Sequence, residues 1–193
     1  MKARKITLLI FTLVAATSSL PAFSDPQYLK TPIQILQFTE LGKVRIGMTP
    51  KEAASALDGS LAPLDTSDGA SSEECWYTYR TDRMSPWIHY MVQDDKIVRI
   101  DVSPIWVERG VRFAPPVQTD MGITVDSPEK SVIEKYGSRA TVEPHPYAEE
   151  TGHYLEVVSP DGKFGVLFET TDGKVDTFRS GVLDAVRAVE GCL

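Results

Sequence analysis

Cysteine is almost missing from this sequence: Cys75 and Cys192 are the two among 193 residues, and they form no CxxC pair. The short spacings that build thiolate zinc sites and dithiol redox motifs are therefore absent. Basic residues are in deficit, with 20 Lys and Arg against 27 Asp and Glu and a formal charge of −7. Nucleic acid and anionic membrane both need clustered Lys and Arg to neutralise phosphate, so this balance argues against either as a partner. Beyond the N-terminus no stretch is apolar enough to cross a membrane as a helix, so no membrane insertion is expected. G-x-S-x-G, Walker, Rossmann and H-E-x-x-H patterns are missing too. What remains is enough chain for one domain or two small ones, with no reaction written in a short motif.

The first recognisable feature is an export signal. Lys2, Arg4 and Lys5 form a basic start, 6–16 is apolar apart from Thr7 and Thr12, and Ala22 and Ser24 are small residues suited to a cleavage site. The apolar run is about 11 residues, against the ~20 that a membrane span needs. Residues 1–24 are read as a signal peptide, with a cut after Ala22 as the alternative. Cleavage after Ser24 leaves 169 residues at −10, because three basic residues and no acid are removed. No Cys follows the run, so no lipid anchor is expected, and the location is periplasmic or secreted. In an oxidising compartment an even cysteine count favours a Cys75–Cys192 disulfide, whose long loop makes it worth ~4–5 kcal/mol in the chain-entropy model. Two free buried thiols, or a catalytic or metal-binding cysteine, are the other readings.

Compared with itself, the chain repeats without a gap at an offset of 78: Thr49-Pro50 falls on Ser127-Pro128, Gly59-Ser60 on Gly137-Ser138, Asp94 on Asp172 and Lys96 on Lys174. This divides the mature chain into copies at 25–114 and 115–193, which fold as two units or pack as one. Thr49-Pro50-Lys51-Glu52 is a capping box that starts a helix, and Ser127-Pro128-Glu129 starts its counterpart. Thr31-Pro32 opens a further candidate helix carrying Ile33, Leu36 and Leu41. After each capped helix the period becomes alternating, giving strands at 75–80, 87–93 and 96–102 and again at 153–158, 164–170 and 174–179. Asp94-Asp95 and Asp172-Gly173 are the tight turns before the last strands. The expected fold is α+β: two tandem copies of a helix–loop–helix plus antiparallel sheet unit, with the helices packed on one sheet face and the other face free.

Matching the two copies assigns Ile88, Tyr90, Val92, Tyr77 and Tyr79 to the helix side. The free face then carries Trp76, Arg80, Trp87, His89, Met91 and Arg99 from the first copy, with Tyr154 and Arg179 from the second. Aromatic, Met and Arg side chains are the types enriched where proteins bind one another. The bland reading is that loops or the contact between copies cover the tryptophans. His89, near Asp101 or Glu169, is either a group that makes binding pH-sensitive or an ordinary exposed histidine.

The run from Leu41 to Thr49, its Pro-started helix, Gly59, an aromatic strand and a D-x-K hairpin resemble the repeat of the β-lactamase inhibitor protein and of the BamE/SmpA-type outer-membrane assembly lipoproteins. The resemblance implies the tandem helix–loop–helix and sheet fold, used as a protein-binding surface without a catalytic centre. This chain departs from the assembly factors in lacking a lipobox cysteine, and its second copy has Gly122-Ile123-Thr124 where the first has Gly47-Met48-Thr49.

These observations lead to an expectation of an exported, non-enzymatic module that binds another protein through the free sheet face, as an inhibitor or an envelope-assembly factor, with no cofactor and no metal. The alternative is a metal- or small-ligand-binding hydrolytic enzyme using His145, His153 and the acids Glu149 and Glu150 between them. The four acids in 65–74 are a weaker Ca²⁺ candidate, without the EF-hand order. A purely structural envelope component is the third reading.

Overall fold

A computed structural model describes residues 32–64, 74–81, 87–107, 111–148 and 150–192. The signal segment 1–24 and most of the acidic segment 65–74 lie outside the described residues, as does Glu149. In chain order the elements are β1 (Gln34–Leu36), β2 (Glu40–Leu41), β3 (Val44–Arg45), α1 (Pro50–Ala56), β4 (Leu61–Pro63), β5 (Cys75–Arg80), β6 (Ile88–Gln93) and β7 (Lys96–Val102). They continue as β8 (Ile105–Val107), β9 (Val111–Phe113), β10 (Val117–Thr119), α2 (Glu129–Tyr136), β11 (Ala140–Pro144), β12 (Gly152–Val158), β13 (Phe164–Thr171), β14 (Lys174–Val182) and α3 (Leu183–Arg187).

One antiparallel sheet of eight strands, ordered β11-β12-β13-β14-β7-β6-β5-β4, dominates the molecule. Its two halves meet where β14 pairs with β7, Phe178 opposite Val102 and Arg179 opposite Asp101. Asp94 and Asp95 (φ 49° and 58°) and Asp172 and Gly173 (φ 50° and 73°) turn the two long hairpins with φ positive at both positions, which matches the right-handed twist of the strands they join. Because successive side chains alternate, cross-strand partners form rows on one face or the other. Leu155, Phe168, Phe178, Val102 and Ile88 make one such row, all buried, and the main core grows on this first face with Ala53 of α1 and Val132 and Tyr136 of α2.

The expectation of helix–loop–helix units packed on one sheet face is overturned. The chain is mostly β, with three short α-helices among the described residues and a second, four-stranded sheet ordered β10-β1-β2-β3. The segment after Thr31-Pro32, expected to be helical, supplies β1 and β2 instead. Ile33 and Leu36 fit a helical stripe, but the segment also alternates, with Ile35 outward and Leu36 fully buried, and pairing decides between the two. β1 runs parallel to β10, Gln34 opposite Val117 and Leu36 opposite Thr119, a contact between chain segments some 80 positions apart that no local pattern announces. The helices also occupy both faces: α3 lies on the second face, where Ala185 packs with Met91 and Cys75.

The uniform offset of 78 also fails in two places, each with a physical consequence. α1 is capped by Thr49, whose Oγ1 accepts from the Glu52 amide (3.2 Å) while Glu52 accepts from the Thr49 amide (2.8 Å), the expected capping box. The matching N-cap of α2 is Pro128 rather than Ser127, so the helix starts lie 79 apart and α2 has no side-chain cap; the Ser127 hydroxyl accepts from the Thr124 amide instead (3.0 Å). In β5 the error runs the other way. Thr78 faces Tyr90 and Leu155 faces Phe168, so these strands correspond at 77. A one-residue slip sends every side chain of a strand to the opposite face. Trp76, Thr78 and Arg80 therefore point toward the main core, and Tyr77 and Tyr79 toward the second face.

Candidate functional site

The second face is built around two buried arginines. Gly165 and Gly181 are cross-strand partners on β13 and β14. A Cβ on Gly165 would lie 2.9 Å from Leu183 Cδ1, so this glycine lets α3 settle on the sheet, while one on Gly181 would collide with the Val98 carbonyl, so that glycine lets β14 approach β7. The carbonyls at the end of α3 need donors, and the sheet supplies them. Arg99 Nη1 donates to the carbonyls of Ala185 (2.8 Å) and Ala188 (2.9 Å), and Arg179 Nε to that of Val186 (2.7 Å). The Cys75–Cys192 disulfide then fixes the end of the chain to β5, closing a sequence separation of 117. Arg99 and Arg179 are 4% and 6% exposed.

Burial of this depth requires compensating charge. Arg99 Nε donates to Asp101 (3.0 Å) and Nη2 to the Tyr77 hydroxyl (2.5 Å), while Arg179 Nη1 pairs with Glu169. Desolvation works against the Arg99 charge, but the Asp101 carboxylate and Tyr77 outweigh it and hold its pKa above the ordinary value. Beside this network a cavity of about 260 Å³ opens between β5, β6, β7 and β14, lined by Tyr77, His89, Arg99, Asp101, Thr177 and Arg179. His89 stands opposite Asp101 in the sheet register.

Burial, reinforced by the Asp101 carboxylate, pushes the Tyr77 pKa up to about 12, and burial does the same for Tyr90 and Tyr136. Their phenols stay protonated in the fold at pH values where those of the unfolded chain ionise. The stability they contribute is complete below pH ~10 and is lost as pH climbs toward about 12. An alkaline titration followed by the phenolate ultraviolet band is expected to show these tyrosines ionising together with loss of circular dichroism. Ionisation of all seven near pH ~10 with the fold intact would contradict their burial.

A line of aromatic and charged side chains leads from the cavity to solvent. Arg179 lies 5.6 Å from the centre of the Tyr154 ring, Tyr154 meets the His145 ring edge-on at 4.7 Å, and His145 lies 6.2 Å from Tyr147. Tyr147 is 71% exposed. Glu169 sits beneath this line, close to Arg179 on one side and 3.7 Å from His145 on the other. Desolvation and the Glu169 carboxylate raise the Tyr154 pKa, so its hydroxyl is neutral.

The eight predicted binding residues thus separate. His89, Arg99, Tyr154 and Arg179 share the second face around the cavity, as expected, although the two arginines are covered by α3. Met91 is on that face but fully buried beneath α3. Trp87 is 2% exposed within the main core, and Trp76 packs against the same core. Arg80 donates from Nη2 to the Leu57 carbonyl that ends α1 (3.1 Å). The expectation that all eight form a free surface is corrected accordingly: the β5 slip removes Trp76 and Arg80, and α3 covers the middle of the sheet. Tyr77, assigned to the helix side, belongs to the cavity instead. The signals for the cover are Gly165, whose missing side chain makes room for Leu183, and the cysteine that ties the segment after α3 back to β5.

The alternative metal site is not assembled. His153 Nδ1 contacts Glu129 of α2 (3.0 Å) on the first face, and the Thr170 hydroxyl donates to the same carboxylate (2.5 Å). His145 lies with Glu169 and Tyr154 on the second face, so the two imidazoles are divided by the sheet. Among the described residues no group of three or more His, Cys, Asp or Glu side chains is placed to hold a metal ion, and no helix is long and apolar enough to cross a membrane. No protein-family model matches the chain, and no curated protein matches it significantly.

Proposed function

We propose that this chain is an exported, non-enzymatic protein-binding module that docks its partner on the second face of the eight-stranded sheet. The observation carrying this reading is the continuous line from exposed Tyr147 through His145 and Tyr154 to the Arg179 cavity. Tyr and Arg clustered beside a recess are the composition in which binding energy concentrates. Export is supported by the expected signal in 1–24 and agrees with the disulfide. The partner is a secreted or envelope protein, and the role is that of an inhibitor or an assembly factor, which extends the resemblance of the first repeat to those two families. The hydrolytic alternative loses its support, because it needs His145 and His153 on one side of the sheet.

The reading is tested by affinity capture from an envelope extract with the oxidised, full mature chain as bait. Tyr147→Ala and Tyr154→Ala are both expected to reduce recovery of the specific partner by about tenfold or more without changing the far-ultraviolet circular dichroism. Undiminished recovery with both variants would overturn the assigned face.

A further inference from the structure

Away from α3 the second face ends in a row of acid and aromatic side chains. Glu143 of β11, Tyr154 of β12 and Glu169 of β13 are successive cross-strand partners, and side chains so placed stand ~4.5–5.5 Å apart on one face. His145, two residues after Glu143, meets the Tyr154 ring from the same side. Its Nδ1 accepts from the Tyr147 amide (3.1 Å) and its carbonyl from the Ala148 amide (3.2 Å), so Tyr147 is fixed in a hydrogen-bonded turn with most of its ring in solvent. The charges around this row do not balance. Arg99, Arg179 and Arg187 are each held by one carboxylate, from Asp101, Glu169 and Glu156 respectively. Glu143 on β11, Asp184 on α3 and Glu190 beyond it are exposed and have no ion-pair partner among the described residues. Three carboxylates of the face are therefore left uncompensated.

We propose that the partner protein docks here through an arginine, whose guanidinium is seated against the Tyr147 ring and paired with Glu143. A carboxylate outside any ion pair attracts a cation, and an open tyrosine ring attracts the same group through its face. A planar guanidinium can stack on the ring and donate two parallel hydrogen bonds to a carboxylate, which a lysine ammonium cannot. Glu143 and Tyr147 flank His145 in the chain, and the His145 ring meets both Tyr147 and Tyr154, so acid and ring border one patch. Arg179 does not compete for this seat. It is buried, its Nε and Nη1 are committed to the Val186 carbonyl and to Glu169, and by neutralising Glu169 it leaves Glu143 as the unpaired charge of the row. The exposed carboxylates that draw a basic partner also repel an acidic one, so charge supplies specificity on this face as well as attraction.

The inference rests on the docking reading above, and its test separates the two. Oxidised, ¹⁵N-labelled mature protein is titrated with the peptide acetyl-Gly-Arg-Gly-amide and with its citrulline counterpart, which keeps the shape and loses the charge. Backbone amide signals are followed by NMR. Saturable shifts centred on Glu143, His145, Tyr147 and Tyr154 are expected, with the citrulline peptide binding about fivefold more weakly. Glu143→Gln is expected to remove that preference, and Asp184→Asn, which deletes an equal charge elsewhere on the face, is expected to leave it. No saturable shift, equal affinity for the citrulline peptide, a preference that survives Glu143→Gln, or one lost equally with Asp184→Asn would each overturn the arginine seat. Should the seat fail while Tyr147→Ala and Tyr154→Ala still diminish partner capture, the docking reading stands without it. An arginine peptide that binds as expected while both variants leave capture undiminished would instead overturn the partner as the source of the arginine.

Discussion

Replacing both cysteines, Cys75→Ser with Cys192→Ser, is expected to lower the free energy of unfolding by about 4–5 kcal/mol. The bond closes a sequence separation of 117, and loop-closure entropy makes long loops the most stabilised by a cross-link. The local effect follows from position. Cys75 packs with Met91 and Ala185, with Tyr77 and Cys192 against them, so the bond holds the segment after β14 down on the sheet. Without it α3 retains five residues, too few to persist as a helix by themselves, and three donor contacts from Arg99 and Arg179. Urea unfolding of the oxidised and serine forms measures the global change. Hydrogen exchange at 183–192 is expected to accelerate before the rest of the sheet opens. A global difference below ~1 kcal/mol would mean that the bond adds little to contacts already sufficient.

Arg99→Ala is expected to be nearly as severe, costing about 3–5 kcal/mol, because it breaks a buried ion pair from one side. The substitution strands Asp101, whose side chain is 20% exposed, removes the donor for the Ala185 and Ala188 carbonyls, and empties space beside Tyr77. Arg99→Lys restores one charge but cannot reach Asp101, two carbonyls and a phenol in one planar fork, so a partial rescue is expected. Equilibrium denaturation of the three proteins checks this order. Equal stability of Arg99→Ala and wild type would show that the guanidinium contributes to neither sheet nor α3.

Much of the large sheet was legible because its signals are local. Tight Asp-Asp and Asp-Gly turns with β-branched and aromatic residues on either side define β6, β7, β13 and β14, and the Thr49 capping box defines α1. The parts that were not legible depend on contacts distant in sequence. β1 exists because β10 accepts it, and its three residues read equally well as a helical stripe. The face of β5 turns on a one-residue change of spacing, to which a comparison of two copies at constant offset is blind.

The candidate site followed the same division. Alternation puts His89, Tyr154, Arg99 and Arg179 on the second face, where the structure has them: β6, β7 and β14 keep the offset of 78, and Tyr154 of β12 stands opposite Glu169. It puts Trp76 and Arg80 there too, and they lie on the first face because β5 does not keep that offset. The burial of Met91, Arg99 and Arg179 comes from α3, a segment too short to carry a helical pattern of its own. Strand arginines read as solvent-facing unless acceptors are known to lie above them, and here those acceptors are backbone carbonyls with no sequence signature.

On the proposed reading one face of the eight-stranded sheet, and not the other, meets the partner, and partner capture with face-specific variants decides between the two. Tyr154→Ala on the second face is compared with Ile133→Asp on the exposed side of α2, which packs on the first. Recovery of the specific partner is predicted to fall by about tenfold or more with Tyr154→Ala and to stay at the wild-type level with Ile133→Asp. The reverse pattern, with capture lost only when Ile133 is changed in a folded protein, would contradict it.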